Sequence, residues 1–188
     1  MRILDLGCGS GLDLGSWGVT VLDEIAGVDI DDERLAMARQ RFPSRTYVHG
    51  AGEKIPFDDE RFDRVISAVA LPYMNIQKAL AEIHRVLVPG GSLSLSLHLP
   101  SFTLSELREH ALPRPIPTIF RLYVMANGVW FHFTGKTLRF VNRRTESFQT
   151  ERGMRIALNH AGFVDPSFKR MRGPAGEMFI VEARKCQT

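Results

Sequence analysis

Cysteine is nearly absent from this 188-residue sequence, which has only Cys8 and Cys186. Two isolated cysteines build neither a disulfide framework nor the paired spacing of a metal site, so we expect no metal centre. No apolar run reaches the roughly 20 residues that span a bilayer. Asp5 and several glycines stand where the apolar segment of a signal peptide would continue. These absences predict a cytoplasmic protein with no membrane span.

Charge is unevenly distributed along the chain, although the net charge is only +3. Residues 1–100 hold 10 basic and 14 acidic side chains, whereas residues 101–188 hold 14 and 7. A basic half can favour an anionic substrate or a nucleic acid. No run is denser than Arg143-Arg144, and no RNA-binding signature accompanies it. We therefore interpret the basic half as a solvated surface and do not predict a nucleic-acid partner.

Residues 1–98 alternate short β-like runs with helical runs, which is typical of a parallel sheet with helices on both faces. The predicted strands are Arg2–Leu6, Ile25–Ile30, Thr46–His49, Phe62–Ser67 and Ser92–Leu99. Strong helical patterns cover Asp31–Phe42 and Ile76–Leu87, and a weaker one runs from Asp13 to Glu24, where two glycines count against it.

The pattern changes after the fifth strand. Residues 99–150 are rich in proline and aromatic side chains, which indicates an inserted cap of short helices and loops that could form the substrate region. A helix over Glu151–Ala161, stopped by Gly162, and two final strands, Val164–Met171 and Glu177–Arg184, then close the fold. We expect a single α/β domain over residues 1–188.

Three glycines at alternate positions, Gly7, Gly9 and Gly11, follow the first strand. A glycine turn that leaves a parallel strand is where α/β folds bind nucleotide-like cofactors. The dinucleotide fingerprint G-x-G-x-x-G would require a glycine at position 12 or 14, and both positions are leucine. The spacing therefore disfavours a nicotinamide oxidoreductase.

Asp29 stands at the end of the second strand, eighteen residues after Gly11. The two oxygens of a carboxylate match the adjacent hydroxyls of a ribose. The other role for an acid here is to cap the next helix, but Asp31 and Asp32 are available for that.

The run Leu4-Asp-Leu-Gly-Cys-Gly-Ser-Gly11, together with Asp29, resembles the first motifs of the class I S-adenosylmethionine (SAM)-dependent methyltransferases. The later segments His49–Phe57, Arg61–Ser67 and Ala81–Ser92 resemble further motifs of that superfamily in order and spacing. The most similar pattern is that of small-molecule methyltransferases of ubiquinone and menaquinone biosynthesis. The resemblance covers residues 1–98 well and 151–184 loosely, and it does not reach 100–150.

The resemblance implies a Rossmann-like doubly wound sheet of seven strands, mostly parallel with the last antiparallel, in which residues 1–98 form the SAM-binding half. It also implies a role for each motif residue. The backbone of the glycine loop, Gly7, Cys8, Gly9 and Gly11, would approach the methionine part of SAM, and Asp5 would lie near its amino group. Asp29 would hold the ribose. Ile30 would cover one face of the adenine, Gly52 and Glu53 would line its edge, and Ser67 and Ala68 would lie by the sulfonium.

Position 51 departs from the family pattern, because relatives often carry an aspartate there that receives the adenine amino group. The side chain of Ala51 cannot accept a hydrogen bond, which removes a contact worth about 1 kcal/mol. Either the affinity for SAM is lower in this chain or Glu53 substitutes.

No catalytic triad is evident, and a methyl transfer that relies on alignment does not require one. His98, at the end of the fifth strand, is a candidate general base, although a strand-end histidine bonded to backbone is an equal alternative. Tyr73 is a candidate for orienting the substrate, with core packing as its alternative.

The sequence supports two alternative functions, one catalytic and one non-catalytic. The first is a SAM-dependent methyltransferase that acts on a small molecule. The second is a methyltransferase-like protein that binds a ligand or partner without catalysis. It is motivated by Ala51 and by a sequence that begins directly at the first strand, where relatives usually have one or more helices; an N-terminally truncated form would explain the same observation.

Overall fold

The computed structural model describes residues 1–11, 14–98, 115–138, 145–173 and 176–187. Its strands are β1 (Arg2–Leu6), β2 (Glu24–Asp29), β3 (Thr46–His49), β4 (Phe62–Ala68), β5 (Leu87–His98), β6 (Phe163–Gly173) and β7 (Gly176–Lys185). Its α-helices within those residues are α1 (Asp32–Arg41), α2 (Ile76–Val86), α3 (Pro115–Thr134) and α4 (Glu151–His160). Short 3-10 turns cover Leu14–Trp17 and Leu71–Tyr73.

The strands form one sheet in the order β3-β2-β1-β4-β5-β7-β6. Strands β1 to β5 are mutually parallel, and β7 runs antiparallel between β5 and β6. The predicted seven-stranded, mostly parallel sheet with an antiparallel last strand is therefore confirmed. The chain leaves β1 toward one side of the sheet through β2 and β3, then returns to the other side through β4 and β5.

The two faces of the sheet follow from alternation along the strands, because successive side chains point to opposite faces. One face carries Leu4, Leu6 and Val65 and packs against α2 and α4 in the main core. The other face carries Ile3 and Ile66, and a smaller cluster forms there with the 3-10 turn Leu14–Trp17. Helix α1 covers the same second face farther along, against β3.

The predicted helix boundaries have identifiable causes. Asp31 caps α1 by accepting from the backbone N–H of Arg34 at 3.0 Å, as the sequence predicts. Asn75 and Thr150 cap α2 and α4 in the same way. Gly162, at φ +86°, follows the end of α4 and confirms the predicted stop.

The weak helix predicted from Asp13 to Glu24 is wrong, although Asp13 itself lies outside the described residues. A 3-10 turn over Leu14–Trp17 replaces it and ends at Gly18, whose φ is +72°. Asp23 then holds the next segment by accepting from the N–H and hydroxyl of Thr20 at 2.8 and 3.0 Å. Two glycines within four residues make the helical alternative too costly to form here.

The prediction of several short helices within residues 99–150 is also wrong for the part described, where α3 is a single helix of 20 residues. Pro115 and Pro117 do not break it because both stand in its first turn, where no intrahelical N–H bond is lost. Residues 99–114 and 139–144 lie outside the described residues. Helix α3 packs against α4 where the Phe131 ring lies directly over Gly153.

Asn127 joins α3 to the segments that follow it. Its amide group donates to the carbonyls of Leu138 and Glu146 at 3.2 and 2.8 Å and accepts from the N–H of Leu138 at 2.7 Å. Thr137 in turn bonds Gln77, in the first turn of α2, at 3.3 Å. Because α2 begins after the carboxyl end of β4, these contacts hold the end of α3 near that edge of the sheet.

Candidate cofactor-binding site

The site predicted from the sequence lies at the carboxyl edge of the sheet, where β1 stands between β2 and β4. The connections that leave these strands go to opposite sides of the sheet, which opens a crevice between them. Such a topological switch point is the binding position for nucleotide-like ligands in open α/β sheets.

The glycine loop after β1 lies over the end of β2. The N–H groups of Gly7 and Cys8 both donate to the carbonyl of Val28, at 2.8 and 3.1 Å. The N–H of Gly9 donates to Oδ2 of Asp29 at 2.8 Å. The loop is thus anchored to the strand that carries Asp29, so the two motifs form one structural unit.

Gly7 shows why this loop requires glycine. Its φ is +75°, and a Cβ built there would overlap the Cβ of Ala70. Gly9 and Gly11 also have positive φ, of +53° and +82°, but a Cβ at Gly9 would meet nothing closer than 3.8 Å. The loop backbone therefore approaches the segment after β4 most closely at Gly7.

Asp29 uses each of its carboxylate oxygens once. Oδ2 receives the Gly9 N–H, and Oδ1 receives the N–H of Asp31 at 3.0 Å. Since each oxygen has a second lone pair, the carboxylate keeps capacity for two more donors. The next residue, Ile30, is an apolar side chain that is 70% exposed at the mouth of this edge.

The turn after β3 places Gly52 and Glu53 beside the same loop. A Cβ at Gly52 would overlap Sδ of Met74, and the Met74 methyl group also lies over Gly7. Oε1 of Glu53 accepts from the N–H of Asn75 at 2.7 Å, which ties this turn to the start of α2. One oxygen of Glu53 is therefore already in structural use.

Three buried side-chain oxygens among the described residues have no hydrogen-bond partner, and two of them lie next to strand ends at this edge. These two are Oδ1 of Asp5, next to the end of β1, and Oγ of Ser67, next to the end of β4. Both side chains are at most 2% exposed. Buried polar atoms are nearly always satisfied in folded proteins, so such atoms in a crevice indicate groups that await a ligand or ordered water.

Burial raises the pKa of the Asp5 carboxyl to about 7, and the nearby charge of Asp29 adds to this while Arg45 opposes it. Burial also raises the pKa of Cys8 to about 12, so its thiol is neutral near pH 7. The neutral thiol packs against Leu35 and Tyr47. Cys8 therefore contributes its backbone to the loop and has no nucleophilic character.

The two candidate catalytic residues lie at the same edge. Tyr73 stands in the 3-10 turn after β4 and is 60% exposed. His98 is the last residue of β5 and pairs in register with Met178 of β7. Ala68, at the end of β4, pairs with Ser96, two residues before His98. All thirteen predicted site residues thus fall on this one edge, while their roles remain predictions.

Val69 is a strained residue at the same point. It has φ +59°, which a β-branched side chain rarely adopts, and its N–H donates to the carbonyl of Ser96 at 3.0 Å. The left-handed conformation turns the chain sharply at the end of β4 and directs Ala70 onto Gly7. Strain of this kind costs about 1–3 kcal/mol and persists where the surrounding structure over-determines it.

We expect Val69→Gly to be more stable than Val69→Ala, the reverse of the usual order. Both substitutions remove the two γ-methyl groups of valine, but only glycine also removes the Cβ and relieves the positive φ, by about 1 kcal/mol. In a chain of this size that difference raises the midpoint of thermal unfolding by about 2–4 °C. The control is Ala70→Gly, where φ is −91° and glycine should lower the midpoint. An alanine variant at position 69 that melts above the glycine variant would contradict the strain.

Sequence reasoning missed the residues that hold the loops of the site in place. Ala70 and Met74 are apolar, and no local pattern distinguishes them from core residues. Arg85 donates to the carbonyls of Ile55 and Phe57, both at 2.9 Å, and so fixes the segment after Glu53. A basic residue in the last turn of α2 was the only signal, and it is equally typical of an ordinary helix end.

A glycine loop at the switch point of a doubly wound sheet, with an acid at the end of the second strand, is the arrangement with which open α/β folds bind nucleotide-like cofactors. Residues 4–95 match the family described as methyltransferase domain. An uncharacterized methyltransferase from Synechocystis is 39% identical over 107 residues, which cover 53% of this chain and 49% of that relative.

A demethylmenaquinone methyltransferase from Chlorobaculum tepidum is 34% identical over 91 residues, or 48% of this chain and 38% of its own. The chain thus spans about half or less of the curated relatives it matches. A solved SAM-dependent methyltransferase from Methanosarcina mazei has the same fold, with a TM-score of 0.69 at 21% identity, covering 100% of this chain and 93% of that one. Residues 4–95 are therefore similar to the methyltransferase-domain family, and the described fold is that of the solved methyltransferase.

No helix in the described ranges is both long enough and apolar enough to cross a membrane.

Proposed function

We propose that this protein binds SAM at the carboxyl edge of its sheet and transfers the methyl group to a small-molecule acceptor. The observation that carries the proposal is the bond between the Gly9 N–H and Oδ2 of Asp29. It joins the glycine loop and the ribose-binding acid at the switch point. The spacing disfavours a dinucleotide, and the similarity of residues 4–95 to the methyltransferase-domain family favours SAM.

The residues at this edge fit SAM chemically. Asp29 keeps two lone pairs for the ribose hydroxyls, and the exposed Ile30 offers an apolar surface to one face of adenine. The unpartnered Oδ1 of Asp5 suits the amino group of the methionine part. Gly7 and Cys8 hold the loop in place while Gly52 and Glu53 would line the adenine edge. Ser67 and Ala68 would lie by the sulfonium.

When bound, SAM supplies a methyl group on a positively charged sulfur, which makes that methyl group an electrophile. The task of the chain is then to align an acceptor with it and to exclude water. We assign the orienting role to Tyr73, because its ring is exposed at this edge. We assign proton acceptance, where the acceptor requires it, to His98 at the end of β5.

A small-molecule acceptor is supported by two observations. The relative from Chlorobaculum tepidum is named a demethylmenaquinone methyltransferase. The segment after β5 is rich in aromatic side chains and proline, and its described helix α3 carries a single charged residue, Arg121. Two cysteines without a disulfide support a cytoplasmic location.

The test is calorimetric titration of the protein with SAM and with S-adenosylhomocysteine. We expect both to bind, and we expect Asp29→Asn to weaken both by about 10- to 100-fold because a charged acceptor of the ribose is lost. The matched control is Asp31→Asn, two residues away, which should alter the cap of α1 and the ion pair with Arg34 and leave the affinity for SAM unchanged. Absence of binding by the folded wild-type protein would overturn the proposal.

A methyltransferase-like protein that binds SAM without catalysis is the second candidate. Ala51 lacks the adenine contact of relatives, and Oε1 of Glu53 is already bound to Asn75. A panel of small-molecule acceptors separates the two functions. Formation of S-adenosylhomocysteine with any acceptor supports catalysis, whereas tight SAM binding with no turnover across the panel supports the second candidate.

A further inference from the structure

Helix α3 has an apolar stripe on its exposed side. The stripe consists of Ile119, Leu122, Ala126, Val129 and Phe133, with Trp130 beside it. The five large side chains of this set are each between 46% and 61% exposed. The opposite side of the helix is buried through Val124, Asn127 and Phe131. The stripe is therefore an outer face that nothing in the described ranges fully covers.

The spacing along the stripe is three, four, three and four residues, which is the seam of a helix pair. A helix that only lies on a core has a broader apolar face. A helix that lies on a lipid surface carries basic residues along its flanks. The only charged residue of α3 is Arg121, whose guanidinium is ion-paired with Glu146 at 3.2 Å. The pattern therefore favours another helix over a lipid surface.

The stripe is also nearly symmetric about its centre. Ile119 and Phe133 each lie seven residues from Ala126, and Leu122 and Val129 lie four and three residues from it. In an antiparallel pair of identical helices related by a twofold axis, Ile119 would meet Phe133 of the other copy. The small Ala126 would meet its own equivalent at the axis, where a small residue lets helices approach to about 8 Å.

The exposed area is sufficient for such a pair. The large side chains of the stripe and Trp130 are about half exposed, so a symmetric contact that buried all of them would remove on the order of 1,000 Å² from water, the lower limit for a specific interface. A contiguous apolar patch of several hundred Å² is among the largest that monomeric proteins expose, and patches of that size are often functional.

We propose that the stripe is the interface of a homodimer, formed by antiparallel packing of α3 against α3 of a second copy around Ala126. Formation of this interface requires neither SAM nor an acceptor. The outcome of its test is therefore independent of whether the proposed enzymatic function is correct.

The test is sedimentation equilibrium of the full chain between about 1 and 100 μM. We expect a dimer of the 21.2 kDa chain. Ala126→Glu should weaken dimerisation by at least about 100-fold, because two carboxylates would meet at the axis. The matched control is Met37→Glu on the exposed side of α1, which should leave the dimer intact. Circular dichroism of both variants establishes that each is folded.

Cross-linking gives a second, independent readout. In a Cys186→Ser background, Ala126→Cys should form an intermolecular disulfide under mild oxidation, whereas Met37→Cys should not. A wild-type chain that is monomeric at every concentration overturns the proposal, and so does a monomer that sediments with phosphatidylglycerol vesicles. A dimer that tolerates Ala126→Glu overturns it as well.

Discussion

Gly7→Ala is expected to destabilise the protein by about 2–5 kcal/mol and to abolish cofactor binding. The new Cβ would overlap the Cβ of Ala70 and would also hold alanine at φ +75°. The positive φ alone costs about 1–2 kcal/mol, and forced overpacking adds about 1–3 kcal/mol. Urea unfolding monitored by circular dichroism measures the loss, and calorimetric titration with SAM measures the binding.

Two further variants separate the causes. Ala70→Gly removes the atom that Gly7→Ala would strike, so in that background the loss should fall to the 1–2 kcal/mol of the positive φ alone. Gly9→Ala, with φ +53° and no atom nearer than 3.8 Å, should behave like that rescued variant. Equal losses for Gly7→Ala with and without Ala70→Gly would show that the contact does not constrain the loop.

The cofactor half was predictable because its signals are local. Glycines at alternate positions identify a loop with positive φ, and the ends of parallel strands share one edge, which brings Asp29, Ala68 and His98 together. The contact of Gly7 with Ala70 was not predictable, since it joins segments 63 residues apart through two small apolar residues. Nothing in the sequence around Val69 indicates a left-handed backbone.

The region after β5 was predicted less well because proline has two meanings. Pro115 and Pro117 suggested broken structure, yet they initiate the longest described helix, α3. The weak helix predicted after the glycine loop is absent for a different reason. Its apolar spacing was present, but Gly15 and Gly18 make helix propagation unfavourable, and a 3-10 turn buries Leu14 instead.

Asp5→Asn is expected to stabilise the protein strongly above pH 7 and to have little effect near pH 4. Burial raises the pKa of Asp5 from 3.8 to about 7 in the folded protein. Between those values the folded protein holds a proton that the unfolded chain has lost, so the wild type loses stability as the pH rises through this range. The whole difference corresponds to about 4 kcal/mol, at about 1.4 kcal/mol per pKa unit.

Thermal unfolding at pH 4, 6 and 8 measures this dependence. The Asn variant should melt roughly 10 °C above the wild type at pH 8, given about 2–4 °C per kcal/mol for a chain of this length. Asp63→Asn is the matched control, because the contribution of Asp63 to stability should depend on pH in the opposite direction. Asp63 accepts from the N–H of Arg2 at 2.7 Å, which lowers its pKa, so its carboxylate stabilises the fold above the unfolded pKa and this is lost as pH falls.

The Asn variant also tests why the chain keeps a buried acid that lowers its stability above pH 7. If the carboxylate of Asp5 serves the amino group of SAM, the stabilised variant should bind SAM at least about 10-fold more weakly, because a charge-assisted hydrogen bond becomes a neutral one. A gain in stability with a loss of affinity is the expected signature of a residue kept for binding. A variant that is both more stable and unchanged in affinity would assign Asp5 no part in holding the cofactor.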